Sequence, residues 1–279
     1  MDSNQGYSIF AGTMADMTYP EIKRASEKGA AVLWAMGVIE EHGPHLPLGT
    51  DVYLPNGVLQ RARQILAERD IPAVIVPPFY WGVNQVTGAF PGSFEVRPEI
   101  MIELMADVFA SLAKDGFKAA YCLSGHGDIA HNLTIVEGIR RGRDDAGLDA
   151  RKLVPPALAE RMAEAAGDED LADCLLVTEP FGPPPGKFLD VHAGKEETSR
   201  IWSSCPDLLR ADIAAGLAPT NLELDDLKEW RKGREHAARK TPDGYFGDPA
   251  SADSKEGGEA QERQAQAVAE AIAGIHGGG

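Results

Sequence analysis

A chain of 279 residues, 43% hydrophobic and 25% charged, is long enough to bury a sizeable core and has the composition of an ordinary soluble globular protein. Its formal net charge of −16 excludes the basic surface that nucleic-acid phosphates or anionic lipids need, so neither is an expected partner. Cys122, Cys174 and Cys205 lie far apart and outside any Cys-x-x-Cys pair, which leaves neither a disulfide framework nor a zinc ribbon.

Residues 1–10 hold no basic segment followed by an apolar stretch, so no secretory signal is expected. The longest apolar run, Ala30–Ile39, is shorter than the roughly 20 residues that span a bilayer. A reducing cytoplasm is the expected compartment.

In chain order, Ala30–Glu40 is a continuous apolar run entering a polar cluster, the pattern of a buried parallel strand. Val58, Leu59, Ala62, Ile65 and Leu66 carry helical spacing over residues 56–67. Ile71–Pro77 reads as a second strand, followed by a glycine-rich loop from Gly82 to Val96. Met101, Leu104, Met105, Val108 and Leu112 mark a helix that Asp115-Gly116 ends. Lys118–Leu123 is a third strand, and Leu133, Val136 and Arg140 lie along a further helix. Residues 155–172 read as helical after Pro155-Pro156, Cys174–Thr178 as a strand, and Gly182–Gly186 as a rigid proline loop. Helices are expected over 195–210 and 258–275, with a polar, mobile stretch at Ser251–Gly258. Such strand–helix alternation, without a dividing linker, implies one α/β domain over residues 1–279 with helices on both faces of a mostly parallel sheet.

Three clusters carry the chemistry. The first is Gly37-Val-Ile-Glu-Glu-His-Gly-Pro-His-Leu-Pro-Leu-Gly-Thr-Asp51, which holds Glu40, Glu41, His42, His45 and Asp51. At the carboxyl end of a strand, residues two apart point the same way, so Glu40 and His42 share a site while Glu41 faces away. Carboxylate and imidazole suit zinc, manganese or iron, and a carboxylate can bridge two ions. The second cluster, Ser124-Gly125-His126-Gly127-Asp128 with His131-Asn132, follows the third strand. The third, Asp190-Val-His192-Ala-Gly194-Lys-Glu-Glu197-Thr-Ser199, again places an acid and a histidine before a helix. Each alone also reads as a polar surface loop, a strand-to-helix turn or a solvated first-turn acid.

Taken together the clusters resemble the creatininase (creatinine amidohydrolase) family. The likeness rests on Glu40-x-His42-Gly-x-His45-Leu-Pro47-x-x-Thr50-Asp51, Ser124-Gly-His126-Gly and His192-Ala-Gly194-x-x-Glu197-Thr-Ser199, with Gly247-Asp-Pro249 near the C-terminus. It implies a three-layer α/β/α sandwich, a homo-oligomer (commonly a hexamer) and two divalent ions, zinc or manganese with iron as a third option. By that likeness Asp51 bridges the ions, Glu40 and His126 serve one and His42 the other. Glu197 is the expected fifth ligand and Asp128 its rival. Ser124 and Asp128-Ile-Ala-His131-Asn132 depart from the usual pattern beside the substrate. With Thr87-Gly-x-Phe90-Pro-Gly92, they are similar to the branch that opens 3-dehydro-scyllo-inosose at a carbon–carbon bond.

The expected activity is hydrolysis of a small cyclic substrate, foremost that cyclic ketone. A cyclic amide or formamide is the alternative, and a non-catalytic metal-stabilised binding protein the reading from another class. His192 is the candidate acid/base, since imidazole titrates near working pH, against a structural histidine bonded to backbone. Asp128 and His131 are candidates to orient the substrate, Asp128 within the catalytic set. The aromatic loop Trp81–Phe94 suits closure over a small molecule, with Trp81 and Phe90 as wall residues, or packs beneath itself.

Overall fold

All six residues of Ala31–Met36 (β1) are buried, as an uninterrupted apolar run requires when helices cover both faces of a sheet. The computed structural model describes residues 7–167, 170–180 and 187–276. With β1, the strands Ala73–Phe79 (β2), Ala119–Ser124 (β3), Asp149–Val154 (β4) and Leu175–Val177 (β5) form one sheet in the order β2-β1-β3-β4-β5, every pair parallel.

The described helices are α1 (Tyr19–Glu27), α2 (Thr50–Ala67), α3 (Pro98–Lys114), α4 (Ile129–Ala146), α5 (Pro156–Ala166), α6 (Lys195–Ser204), α7 (Ala211–Gly216), α8 (Leu224–Trp230), α9 (Glu235–Lys240) and α10 (Ser254–His276). Val32, Trp34 and Met36 of β1 face a core built with Met101, Met105 and Phe109 of α3 and Ile135 and Ile139 of α4. Ala31, Leu33 and Ala35 face the opposite core, made by Val58, Leu59 and Leu66 of α2 and Val268 and Ile272 of α10. The result is the expected three-layer α/β/α sandwich.

Because β1 is flanked by β2 on one side and β3 on the other, the connections leaving β1 and β3 diverge. A crevice therefore opens beyond their carboxyl ends, the switch point at which open α/β sheets bind ligands. The first two sequence clusters emerge there.

Several elements differ from their sequence reading. β1 stops at Met36 instead of running to Glu40, because the chain turns out of the sheet and the Glu40 N–H donates to the Leu48 carbonyl at 3.0 Å. α2 begins at Thr50, so Asp51 sits in its first turn and not ahead of it. Pro55 lies inside this helix; the N–H it lacks is the one that would have bonded the Asp51 carbonyl. That carbonyl instead packs between the two strand ends: a Cβ on Gly37 or Gly125 would stand 2.4 or 2.3 Å from it. Only glycine permits so close an approach, and the approach fixes where Asp51 points.

β4 has no counterpart in the sequence reading, because Arg151 and Lys152 interrupt its apolar pattern although Lys152 is only 1% exposed. The stretch read as mobile, Ser251–Gly258, instead carries a short 3-10 turn and the start of α10. The proline loop Gly182–Gly186 lies outside the described residues. All three cysteines are buried and free, and no described helix is long and apolar enough to cross a membrane.

Candidate metal centre

Glu40, His42, Asp51, His126, His192 and Glu197 converge at the switch point from four separate stretches of chain. His126 Nδ1 lies 2.9 Å from Glu40 Oε1 and 3.0 Å from Asp51 Oδ2. On the other side, His42 Nε2 is 3.5 Å from Asp51 Oδ1 and 3.8 Å from Glu197 Oε2. The two oxygens of Asp51 thus face two different donor groups. Glu40–Asp51–His126 and His42–Asp51–Glu197 each bring their donor atoms within 4.8 Å of one another, and so does Glu40–His42–His192.

Several of these residues are held by a second contact. The His42 Nδ1–H donates to the Glu40 carbonyl at 3.2 Å, which turns Nε2 toward the acids. Thr87 Oγ1 donates to Glu40 Oε2, leaving Oε1 for the centre. Glu197 Oε2 accepts the Ala193 N–H at 2.6 Å. The carbonyl of His126 accepts from Asn132 Nδ2 at 2.8 Å. Yet Glu40 Oε1, His42 Nε2 and Asp51 Oδ2 are buried without a hydrogen-bond partner among the described residues. Orphaned buried polar atoms cost about 1–3 kcal/mol each, so three of them aimed at one spot fit a cation pair better than an empty core. Nitrogen and oxygen donors in overlapping sets around a shared carboxylate are also chemically suited to two divalent ions.

The electrostatics agree. Burial opposes charge on His42, but Asp51 and Glu197 outweigh it and push the imidazole up to about 9. His126 is likewise held well above its usual range by Glu40 and Asp51 despite its burial. Burial also opposes ionisation of Asp51, yet His42 and His126 hold its carboxyl well below the carboxylate range. The centre is a negative well that protons or cations must neutralise.

His192 sits at the edge of this well. Its Nε2–H donates to the Glu41 carbonyl at 2.8 Å, and the Glu41 carboxylate is 3.2 Å from the same nitrogen. In the neutral ring the proton is therefore on Nε2, and Nδ1 faces Glu40 Oε1 at 3.9 Å. Glu41, assigned by strict alternation to the far side, turns back to brace His192, because the strand has already ended. His45 does not join the centre: its Nε2 pairs with Thr198 Oγ1 at 2.8 Å, and burial together with the like charges of His42 and His192 lowers it to about 4.

A cavity of about 170 Å³ opens over the acids, lined among others by Thr87, Asp128, Arg161, His192, Trp230 and Arg231. Asp128 caps α4: Oδ1 accepts the Ala130 N–H at 2.8 Å and Oδ2 the Gln85 N–H at 2.9 Å. Both oxygens are thus engaged by backbone, and Asp128 belongs to none of the donor sets, whereas Glu197 does. Its place is in the cavity wall, tying the 82–96 loop to α4, in contrast to the rival-ligand reading of the sequence.

Three residues expected against the substrate lie elsewhere. His131 is fully buried behind Gly82 and packs edge-on to His126 at 5.3 Å. Trp81 is 44% exposed and packs on Phe94 at 5.6 Å; neither it nor Phe90 lines the cavity. The aromatic that does is Trp230, buried beside His192 at 5.8 Å, with its Nε1–H donating to Thr241 Oγ1 at 3.0 Å. Arg161, Trp230 and Arg231 carried no motif in the sequence.

Comparison with known proteins bears on the fold and the family. The family model described as creatinine amidohydrolase (creatininase) fits residues 15–272. The creatinine amidohydrolase of Pseudomonas putida is 26% identical over 79% of this chain and 81% of its own length. A mycofactocin precursor peptide peptidase of Mycolicibacterium smegmatis is 27% identical over 81% of this chain and 77% of its own. The 3-dehydro-scyllo-inosose hydrolase of Thermotoga maritima is 27% identical over 40% of this chain and 34% of its own. A solved creatininase in a manganese form superposes with a TM-score of 0.69 at 22% identity, covering 95% of this chain and 98% of that one. A mutant creatininase of Zn–Zn type gives the same TM-score at 21% identity, covering 97% and 99%. With a family model spanning nearly its whole length, the chain belongs to the creatininase family of hydrolases.

Proposed function

We propose that the chain, acting as one catalytic domain, hydrolyses the C–N bond of a small amide with two divalent cations, zinc or manganese. The observation that carries this reading is the pair of donor sets sharing Asp51 at the base of a small cavity. The amide is supported by the two relatives matched over about four-fifths of the chain, an amidohydrolase and a peptidase. Two bound cations supply a water acidified toward neutrality and a polarised carbonyl oxygen.

Around them, Glu40 and His126 would hold one ion, His42 and Glu197 the other, and Asp51 both. Thr87 keeps Glu40 turned inward and Glu41 keeps His192 in place. His192 then offers Nδ1 to carry a proton to the leaving nitrogen. Val86, Val191 and Trp230 give the cavity an apolar wall that excludes bulk water. The family resemblance also carries a homo-oligomer, and the exposed Trp81 and Phe94 provide apolar surface for one.

A second reading, ring opening of a cyclic ketone such as 3-dehydro-scyllo-inosose, is favoured by Thr87 at Glu40 and by the His126–His131 signature. Metal-loaded protein offered formamides, cyclic amides, dipeptides and oxidised inositols separates the two. Release of amine that EDTA abolishes is the expected result. Turnover of the inositol alone selects the second reading, and activity indifferent to EDTA refutes both. His192→Ala is expected to slow turnover by roughly 10²–10⁴-fold with bound metal unchanged. Loss of metal in this variant would instead make His192 a ligand, through the Glu40–His42–His192 set.

A further inference from the structure

Two arginines line the cavity from elements far apart in sequence, Arg161 on α5 and Arg231 just after α8. Neither guanidinium makes an ion pair or hydrogen bond with a described residue. The chain has 43 acids against 27 lysines and arginines, yet no acid pairs with either of these two arginines at the cavity. Elsewhere Arg61 pairs with Glu262, Arg69 with Glu270, Arg141 with Asp145 and Arg234 with Glu95. Burial and the like charge of Arg231 both depress Arg161, with Asp128 opposing them. Asp128 is itself spent on two backbone N–H groups and forms no ion pair with either arginine.

Arg161 is half-buried and Arg231 exposed at the cavity mouth, and the like charge of Arg231 acts on Arg161 with no ion pair to offset it. An anion between them removes that repulsion, and the planar guanidinium fork matches a carboxylate. The buried donors of the candidate metal centre lie at the base of the same cavity, and a space of about 170 Å³ keeps a bound molecule in reach of both ends. Roughly 300–1,000 Å³ is usual for drug-sized ligands, so the occupant is small.

We infer that Arg161 and Arg231 form an anion subsite, and that the substrate is a small amide bearing a free carboxylate which the two arginines clamp while its carbonyl lies toward the cations that Glu40, Asp51 and Glu197 would hold. This rests on the amide reading above. It differs from the neutral cyclic ketone in requiring a negative charge on the substrate.

N-formylglycine and N-formylglycinamide test it, since they share the amide carbonyl and differ in the carboxylate. Binding to the metal-loaded protein is followed by calorimetry and by tryptophan fluorescence, to which Trp230 in the cavity wall contributes. N-formylglycine is expected to bind roughly 10- to 100-fold more tightly than its amide, the scale of charge-assisted hydrogen bonds. Arg161→Gln and Arg231→Gln should each narrow that gap, and together reduce it to less than about threefold. Carboxylate capture by the metals alone would leave the gap intact in the double variant, and that result overturns the inference. So does equal binding of the two probes, or binding of neither. Amine release is scored separately: a preserved carboxylate preference without hydrolysis would sink the amide reading and leave the subsite standing.

Discussion

Asp51→Ala is expected to lower turnover by roughly 10⁴-fold or more, the scale seen when one member of a catalytic unit is lost, and to leave at most one metal ion per chain. The reason is geometric. Asp51 Oδ2 stands with Glu40 and His126, Oδ1 with His42 and Glu197, so one substitution opens both donor sets. No other candidate ligand has its two oxygens divided in this way. Asp51→Asn is the gentler partner experiment, keeping shape and removing charge. Metal analysis of both variants is to be read beside a thermal melt with and without added zinc. Wild-type protein should gain stability on loading, by about 4 kcal/mol at a metal concentration 1,000 times the dissociation constant. In either variant that gain should shrink while the metal-free melt stays cooperative. Two ions retained in Asp51→Ala would show that the bridge is elsewhere.

What the sequence disclosed and what it concealed follow from the range of the forces involved. β1, β2 and β3 are legible because a strand buried on both faces must be apolar throughout, and α3 because its apolar stripe repeats every turn. The clusters after β1 and β3 are legible because metal-capable side chains gather within a few residues at strand ends. Glu41 was misplaced because two-residue alternation holds only while the chain is extended, and β1 ends at Met36. His131, Trp81 and Phe90 sit in stretches of the right composition, but which side of the cavity wall they occupy is set by Gly82 and Phe94, not by local pattern. Arg161, Trp230 and Arg231 meet only through the packing of α5 and α8 around the crevice. No spacing in the sequence encodes that meeting.

β4 was concealed by Lys152, and the same residue yields the second large expected effect: Lys152→Met should stabilise the protein by about 3 kcal/mol at pH 7. Lys152 is fully interior, without a carboxylate in ion-pair range among the described residues, and burial lowers its ammonium from 10.5 to about 8. Its first neighbour of note is the Cys122 thiol across the β3–β4 register, which burial has itself pushed up to about 12. The interior therefore holds a charge at neutral pH with no acid paired to it among the described residues, and each unit of displacement corresponds to about 1.4 kcal/mol. Methionine has a similar length and no charge, so it fills the space without that cost. The sign with pH is fixed by linkage. The folded chain releases this proton near pH 8 and the unfolded chain near 10.5, so between those values the unfolded state binds more protons and wild-type stability rises with pH. Below about pH 8 the full penalty applies; above 10.5 it is gone. Urea melts of wild type and Lys152→Met at pH 7, 9 and 10.5 should show the advantage of the variant shrinking toward zero. An advantage that does not change with pH, or a destabilised variant, would mean that Lys152 is solvated by a partner in the folded state and that its burial is no burden.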